Sequence, residues 1–468
     1  MRLVFYLLLI IGPTIAYAAD VNEALVHDLK VRRARVTEET GGRSVVILFS
    51  GTPRNYSNDV NYPFRQENNL YYLTGINQAG ITLVLIPDDT DQLSILFLPE
   101  RDPSAETWTG HMLSHEEAQL ISGINHIRNT NDFESFLETT LNTYAQESTD
   151  STDVWMLIGK QALQMQLFAK EHAYGRALKK RYPKIRLKDV SPVFRDTRLV
   201  KSDYELQQLR KAIDITGEAH RNVMNTVQPG IYEYQLDGLI YNTYRRYGAH
   251  LGFPSIVGSG PNATTLHYEE NTRQMQEGEL VLLDIGAEVG HYSADITRTV
   301  PVSGTFSTEQ RAIYDLVFQA QEAAMSLVRP GATIGDLHNR VLEVIKAGLE
   351  ELGLITDTSG KQYRMWFMHG TSHFIGLDVH DVGNRNTVFV PGMVLTVEPG
   401  IYIREDALVH LEDTPENRQL KVDIRPAYRL YKNIGIRIED DVLVTESGYE
   451  LLSGSAPREM GSVISEMK

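Results

Sequence analysis

Short apolar runs punctuate the first part of the chain. Val45-Val46-Ile47-Leu48-Phe49 ends at Ser50-Gly51, and two further runs at 81–86 and 93–98 flank the polar stretch 87–92. Runs of this length between turn residues predict strands, the last two forming a hairpin. Helical periodicity follows over 134–145 and 161–181. Residues 19–195 are therefore expected to form a small α/β domain, and they show no obvious catalytic cluster. Pro192-Val193-Phe194-Arg195-Asp196 marks the crossing into a second domain, 196–468.

The second domain opens with Ser202-Asp203-Tyr204-Glu205, a capping box in which Ser and Glu satisfy unpaired helix N–H groups. Leu206, Leu209, Ile213, Val223 and Val227 continue the 3.6-residue period until Pro229-Gly230. The pattern then recurs. Val227-Gln228-Pro229-Gly230 returns as Val328-Arg329-Pro330-Gly331, each after a capped helix, the second beginning at Ser307-Thr308-Glu309-Gln310. Gly278, Asp284 and Gly286 match Gly392, Glu398 and Gly400 at one constant offset. Asp295, Ser303 and Gly304 match Glu439, Ser447 and Gly448 at another. Several matches in one order predict two α+β halves related by pseudo-twofold symmetry, each giving two acids to a shared centre.

Composition narrows the classes. The net charge of −16 argues against a nucleic-acid partner, which needs a clustered positive surface. With no cysteine, disulfides, thiolate metal sites and cysteine catalysis are excluded. Met1-Arg2, an apolar run over 3–12 and Ala16-Tyr17-Ala18 fit a signal peptide over residues 1–18, cleaved on export to the periplasm or the medium. The run is well short of the ~20 residues that span a bilayer, and no membrane span is expected in the mature chain.

The candidate chemistry lies in the repeat. Val281-Leu282-Leu283-Asp284 and Ala294-Asp295-Ile296-Thr297 place acids in strongly apolar strands. A two-residue turn at Val289-Gly290 would set Asp284 opposite Asp295, although Val suits such a turn poorly and a longer loop is the alternative. Two buried carboxylates share either a proton or a metal. The stretch 369–381 adds three histidines, His369, His373 and His380. Thr396-Val397-Glu398 and Ile436-Arg437-Ile438-Glu439 complete the acids. Neither H-E-x-x-H nor G-x-S-x-G occurs, which disfavours a zincin and a serine hydrolase. A carboxylate-rich set with one imidazole suits two hard or borderline divalent ions such as Mn²⁺, and implies metal-assisted hydrolysis.

The order Asp, Asp, His, Glu, Glu within LLDIGAE, DITRTVPVSG, HGTSHFIGLDVHDVG, VLTVEPGIY and IGIRIEDDVLVTESG resembles the pita-bread metallopeptidases, and most of all aminopeptidase P, the Xaa-Pro aminopeptidase family. The resemblance extends upstream through SIVGSGPNATTLHYEEN to FRQENNLYYLTG. It implies an α+β fold with a pita-bread catalytic domain behind a smaller α/β domain. It also implies removal of the first residue from peptides with proline second, by attack of a water bridging the two metals. Asp284, Asp295, His373, Glu398 and Glu439 would be the ligands, with Asp295 and Glu439 bridging and Glu398 accepting the proton of the attacking water. His267 and His380 would hold substrate and stabilise the tetrahedral intermediate, and His369, Arg437 and Tyr402 would line the site. A local pairing of Arg437 with Asp440 is the competing reading of that arginine. The family's first domain helps to build homo-oligomers, dimers or tetramers. The segment 105–110 matches the part that fences the site there, with simple burial of Trp108 as the alternative. Prolidase, confined to Xaa-Pro dipeptides, is the alternative activity, because the segment between Tyr402 and Gly435 is longer than a compact aminopeptidase P needs. A metal-free binding module is the remote alternative.

Overall fold

The structure is a computed structural model that describes residues 12–87, 93–148, 150–159 and 168–468, with side chains from residue 23. It divides into two compact units, residues 1–198 and 199–468. Most of the expected leader, the tip of the first hairpin (88–92) and the start of the 161–181 helix lie outside the described residues.

The first unit is built on a six-stranded mixed sheet. Its spatial order is His126–Asn129, Leu93–Leu98, Thr82–Ile86, Ser44–Phe49, Asp153–Met156, Arg186–Asp189. The expected hairpin is present: Thr82 pairs with Phe97 and Ile86 with Leu93, antiparallel. Ser44–Phe49 and Thr82–Ile86 are buried along their whole length, which explains why they read as continuous apolar runs rather than as alternation. The helix Phe133–Glu147 turns Phe133, Leu137 and Leu141 onto this core at helical spacing. Ala169–Arg181 supplies Leu178 to the same core. Trp108 is not a core residue: it stands 88% exposed on the short helix Pro103–Thr109.

The second unit carries the repeat. Helices Asp203–Met224 and Glu233–Arg246 pack on strands Ile256–Ser259 and Leu280–Ile285 in one half. Helices Thr308–Met325 and Ile334–Glu351 pack around Val394–Val397 and Gly435–Arg437 in the other. Both capping boxes form, Ser202 with Glu205 and Ser307 with Gln310. The first helix ends at Met224, a little before the expected Pro229-Gly230. Gly230 and Gly331 take matching left-handed conformations, φ 92° and 90°, which a side chain would resist. The recurrence of Val-x-Pro-Gly is thus a recurrence of backbone geometry.

One register differs from expectation. The turn between the acid-bearing strands of the first half falls at Gly290-His291, with φ 56° and 69°, because Val289 disfavours positive φ and Gly290 accepts it. Val289 pairs with Tyr292, and Asp284 lies opposite Thr297 rather than Asp295.

Candidate metal centre

Four acids and one imidazole converge where the strand ladders of the second unit are interrupted. Asp284 is the penultimate residue of Leu280–Ile285, and Asp295 directly precedes Ile296–Pro301. In the second half Glu398 directly follows Val394–Val397, and Glu439 directly precedes Asp440–Val444. The halves are stitched to each other at this level: the Glu439 N–H donates to the Thr297 carbonyl (3.1 Å) and Thr299 Oγ1 donates to the Arg437 carbonyl (3.0 Å).

Asp295, His373 and Glu439 offer ligand atoms that all lie within 4.8 Å of one another. His373 Nε2 is 3.3 Å from Asp295 Oδ2, 3.7 Å from Glu398 Oε1 and 3.9 Å from Glu439 Oε1. Its own backbone is pinned to the strand that leads to Glu398, through Thr396 N to the His373 carbonyl (2.8 Å) and His373 N to Thr396 Oγ1 (3.2 Å). The Glu398 N–H is held by the Thr371 carbonyl (2.7 Å). Asp284 is drawn to the guanidinium of Arg437, 2.5 Å away, and stands outside the tightest cluster.

The electrostatics ask for a cation. Burial, then the charge of Asp284 and neighbouring acids, pushes the Asp295 carboxyl well up. Burial and the charge of Asp295 do the same to Glu439, and burial raises Glu398. Asp284 Oδ1 and Asp295 Oδ1 are buried with no hydrogen-bond donor. Buried carboxylate oxygens are costly unless paired or bound to metal. The donor set of oxygens with one imidazole fits divalent ions, and these residues can hold them.

Arg437 lies against this cluster. It is 4% exposed and reaches Asp284, Tyr402 Oη (2.8 Å) and Thr297 Oγ1 (3.0 Å). The local pairing with Asp440 does not occur, because Arg298 takes that carboxylate at 2.6 Å. Tyr402 Oη also meets His369 Nε2 at 2.9 Å, and His369 Nδ1 lies 3.6 Å from Glu398 Oε2. Burial and the charge of Arg437 push His369 down to about 3, so it is neutral. His380 is exposed, its ring 4.3 Å from that of His373. His267 is also exposed, and close enough that its charge depresses His369 and His380.

Three neighbours were not singled out from sequence. Thr297 donates to Glu439 Oε2 at 2.6 Å while accepting from Arg437. Asp441 accepts the Asp295 N–H at 3.1 Å, and His338 Nδ1 meets Thr371 Oγ1 at 2.8 Å. A threonine two places after Asp295 and an acid two places after Glu439 were the available signals.

The Metallopeptidase family M24 model matches residues 207–446, and the aminopeptidase P N-terminal domain model matches residues 29–148. Over 462 residues the chain is 35% identical to the Xaa-Pro aminopeptidase of Haemophilus influenzae, covering 96% of this chain and 98% of that protein. The chain belongs to the aminopeptidase P family. Within this family, the solved proline aminopeptidase P II of Yersinia pestis superposes with a TM-score of 0.83 at 34% identity, covering 94% of this chain and 99% of that one. Escherichia coli aminopeptidase P, solved with the inhibitor Pro-Leu and, zinc-substituted, with product, gives 0.81 at 35% identity, over 94% and 98%. The fold is accordingly that of an aminopeptidase P, with the N-terminal domain preceding the metallopeptidase domain in the chain. No helix among the described residues is long and apolar enough to cross a membrane.

Proposed function

We propose that the chain removes the N-terminal residue from peptides with proline in second position, using two divalent ions held by Asp284, Asp295, His373, Glu398 and Glu439. The observation that carries this is the convergence of Asp295, His373 and Glu439 within 4.8 Å, with Glu398 beside them. Likeness to the Xaa-Pro aminopeptidases over nearly the whole chain supports the substrate class. Mn²⁺ is the proposed ion, since the set is four carboxylates and one imidazole.

Two divalent ions held by these residues would supply a nucleophile at neutral pH and polarise the scissile carbonyl. Glu398 then accepts a proton and returns it to the proline nitrogen as that group leaves. Because one carboxylate serves both steps, the leaving side of the peptide lies along Glu398, His369 and Tyr402. His267 and His380, exposed beside the centre, hold the substrate carbonyl, while Arg437 and Tyr402 fix the wall behind it. Proline offers no N–H for recognition, so the grip falls on the free amine and the carbonyl.

Export with loss of residues 1–18 is proposed from the leader pattern, and self-association from the exposed Trp108. N-terminal sequencing of the cell-derived protein and sedimentation test these two.

The decisive experiment is hydrolysis of an Xaa-Pro-Yaa series with and without Mn²⁺. Release of the first residue from tripeptides is expected. Confinement to Xaa-Pro dipeptides would make the chain a prolidase, a reading favoured by the long segment holding helices Pro415–Asp423 and Arg425–Tyr431. Absence of bound metal and of any hydrolysis would leave a binding module.

A further inference from the structure

The same long segment builds a second concavity. Residues of the segment 404–420 and of 361–368 line an open concavity of about 550 Å³. Met365, Met368, Leu411 and Leu420 give it apolar walls, and Lys361 and Arg364 stand at it as cations. Arg404 and His410 line it too, but both already contact Asp406, at 2.7 Å and 3.1 Å. Lys361 and Arg364 meet no carboxylate within ion-pair distance among the described residues; Arg364 has only a 3.5 Å contact to Tyr363 Oη. On a chain of net charge −16, two uncompensated cations over an apolar floor mark a place for an anion.

Short chain links join the cavity wall to residues of the metal centre. Met368 immediately precedes His369, and Arg404 follows Tyr402 by two residues. The Tyr402 N–H is bonded to the Trp366 carbonyl (2.8 Å), which ties the two walls together. His369 and Tyr402, which border the proposed leaving side of the peptide, are one and two residues along the chain from Met368 and Arg404 in the cavity wall.

We propose that Lys361 and Arg364 bind a carboxylate carried by the peptide downstream of its proline, which makes the enzyme selective for acidic tails. The inference rests on the function proposed above. The carboxylate comes from an acidic side chain or from the free C-terminus of a short peptide, and both present the same anion to the same two cations. The contact is remote from the reacting bond and equal in ground and transition states, so it acts on KM rather than kcat.

The test is a series of C-terminally amidated Ala-Pro peptides with Glu or Gln placed successively further from the proline, plus matched free-acid and amide peptides without Glu. We expect kcat/KM to favour Glu over Gln at one position by roughly 3- to 10-fold, carried by KM and reduced by salt. In the Lys361→Gln/Arg364→Gln double variant the ratio should fall to about one, and the Lys361→Glu/Arg364→Glu variant should prefer Lys-bearing peptides. A preference seen only for free-acid peptides, and lost in the double variant, would assign the site to the C-terminus. A wild-type ratio near one for every peptide pair, or a ratio that survives in the double variant, overturns the inference. Failure to cleave even the Gln peptides would instead overturn the proposed function. Both cations are exposed, and unchanged thermal unfolding of the variants separates a binding effect from misfolding.

Discussion

Arg298 and Asp440 form an ion pair at 2.6 Å with both side chains fully buried, one from each half of the repeat. The guanidinium is satisfied throughout. It donates to the carbonyls of Thr297 (2.9 Å), Glu439 (2.6 Å), Ala456 (2.8 Å) and Pro457 (2.9 Å) as well as to Asp440. Asp440 in turn accepts from Ser453 (2.5 Å) and from Gln321 (2.9 Å). Through the Glu439 carbonyl this pair fixes the backbone of a proposed metal ligand.

Breaking the pair from one side leaves Arg298 without a carboxylate, or leaves Asp440 with only the more distant Arg458 at 3.8 Å. Arg298→Gln or Asp440→Asn should each cost about 3–5 kcal/mol in denaturant unfolding. The double substitution should cost clearly less than the sum of the two, since they share one interaction. Additive losses would show that the charges are not coupled.

Asp295 sits among Asp284, Asp441, Glu398 and Glu439, all of one sign. Asp295→Asn should abolish peptide hydrolysis and reduce bound metal, read by elemental analysis. The same change relieves repulsion, so the metal-free variant should melt at or above the metal-free wild type. A lower melting temperature without metal would mean that the acid is held by contacts other than the ion.

Tyr402 Oη meets both Arg437 and His369. Tyr402→Phe removes that junction without changing the ring. A loss of roughly 1–2 kcal/mol of transition-state stabilisation, about 10-fold in kcat/KM, is expected from two hydrogen bonds inside the site. Steady-state kinetics on a tripeptide would check it, with metal content unchanged.

His220 is fully buried and bonds the Ile296 carbonyl through Nε2 at 3.0 Å, so Nε2 carries the proton and Nδ1 is bare. Burial, with the charge of Arg298 behind it, pushes its pKa from 6.5 down to about 3. A depressed folded-state pKa gives stability that is complete above the unfolded value. That stability is lost as pH falls from about 6.5 toward 3, at up to about 1.4 kcal/mol per pH unit. His220→Gln keeps a donor and cannot titrate. Its unfolding free energy should therefore fall less steeply than that of the wild type between about pH 7 and pH 5, measured by denaturant titration.

Domain order, the most apolar strands and the five candidate ligands are legible in the linear chain. Burying an acid inside an apolar strand is costly, so such an acid stands out in a linear reading, and the repeat made Asp284 and Asp295 stand out twice, as Glu398 and Glu439 again. The capping boxes were legible because their hydrogen bonds close within three residues. Tertiary structure decided what depends on partners far apart in the chain. Arg437 chose Asp284 over its neighbour Asp440 because Arg298 had already taken Asp440. One residue of turn position, set by the φ that Val289 refuses and Gly290 accepts, placed Thr297 rather than Asp295 opposite Asp284. The cations at 361 and 364 share a concavity with residues of the segment 404–420 only in the folded chain. Local sequence specifies which groups are costly to bury; only the assembled chain specifies which partner compensates each of them.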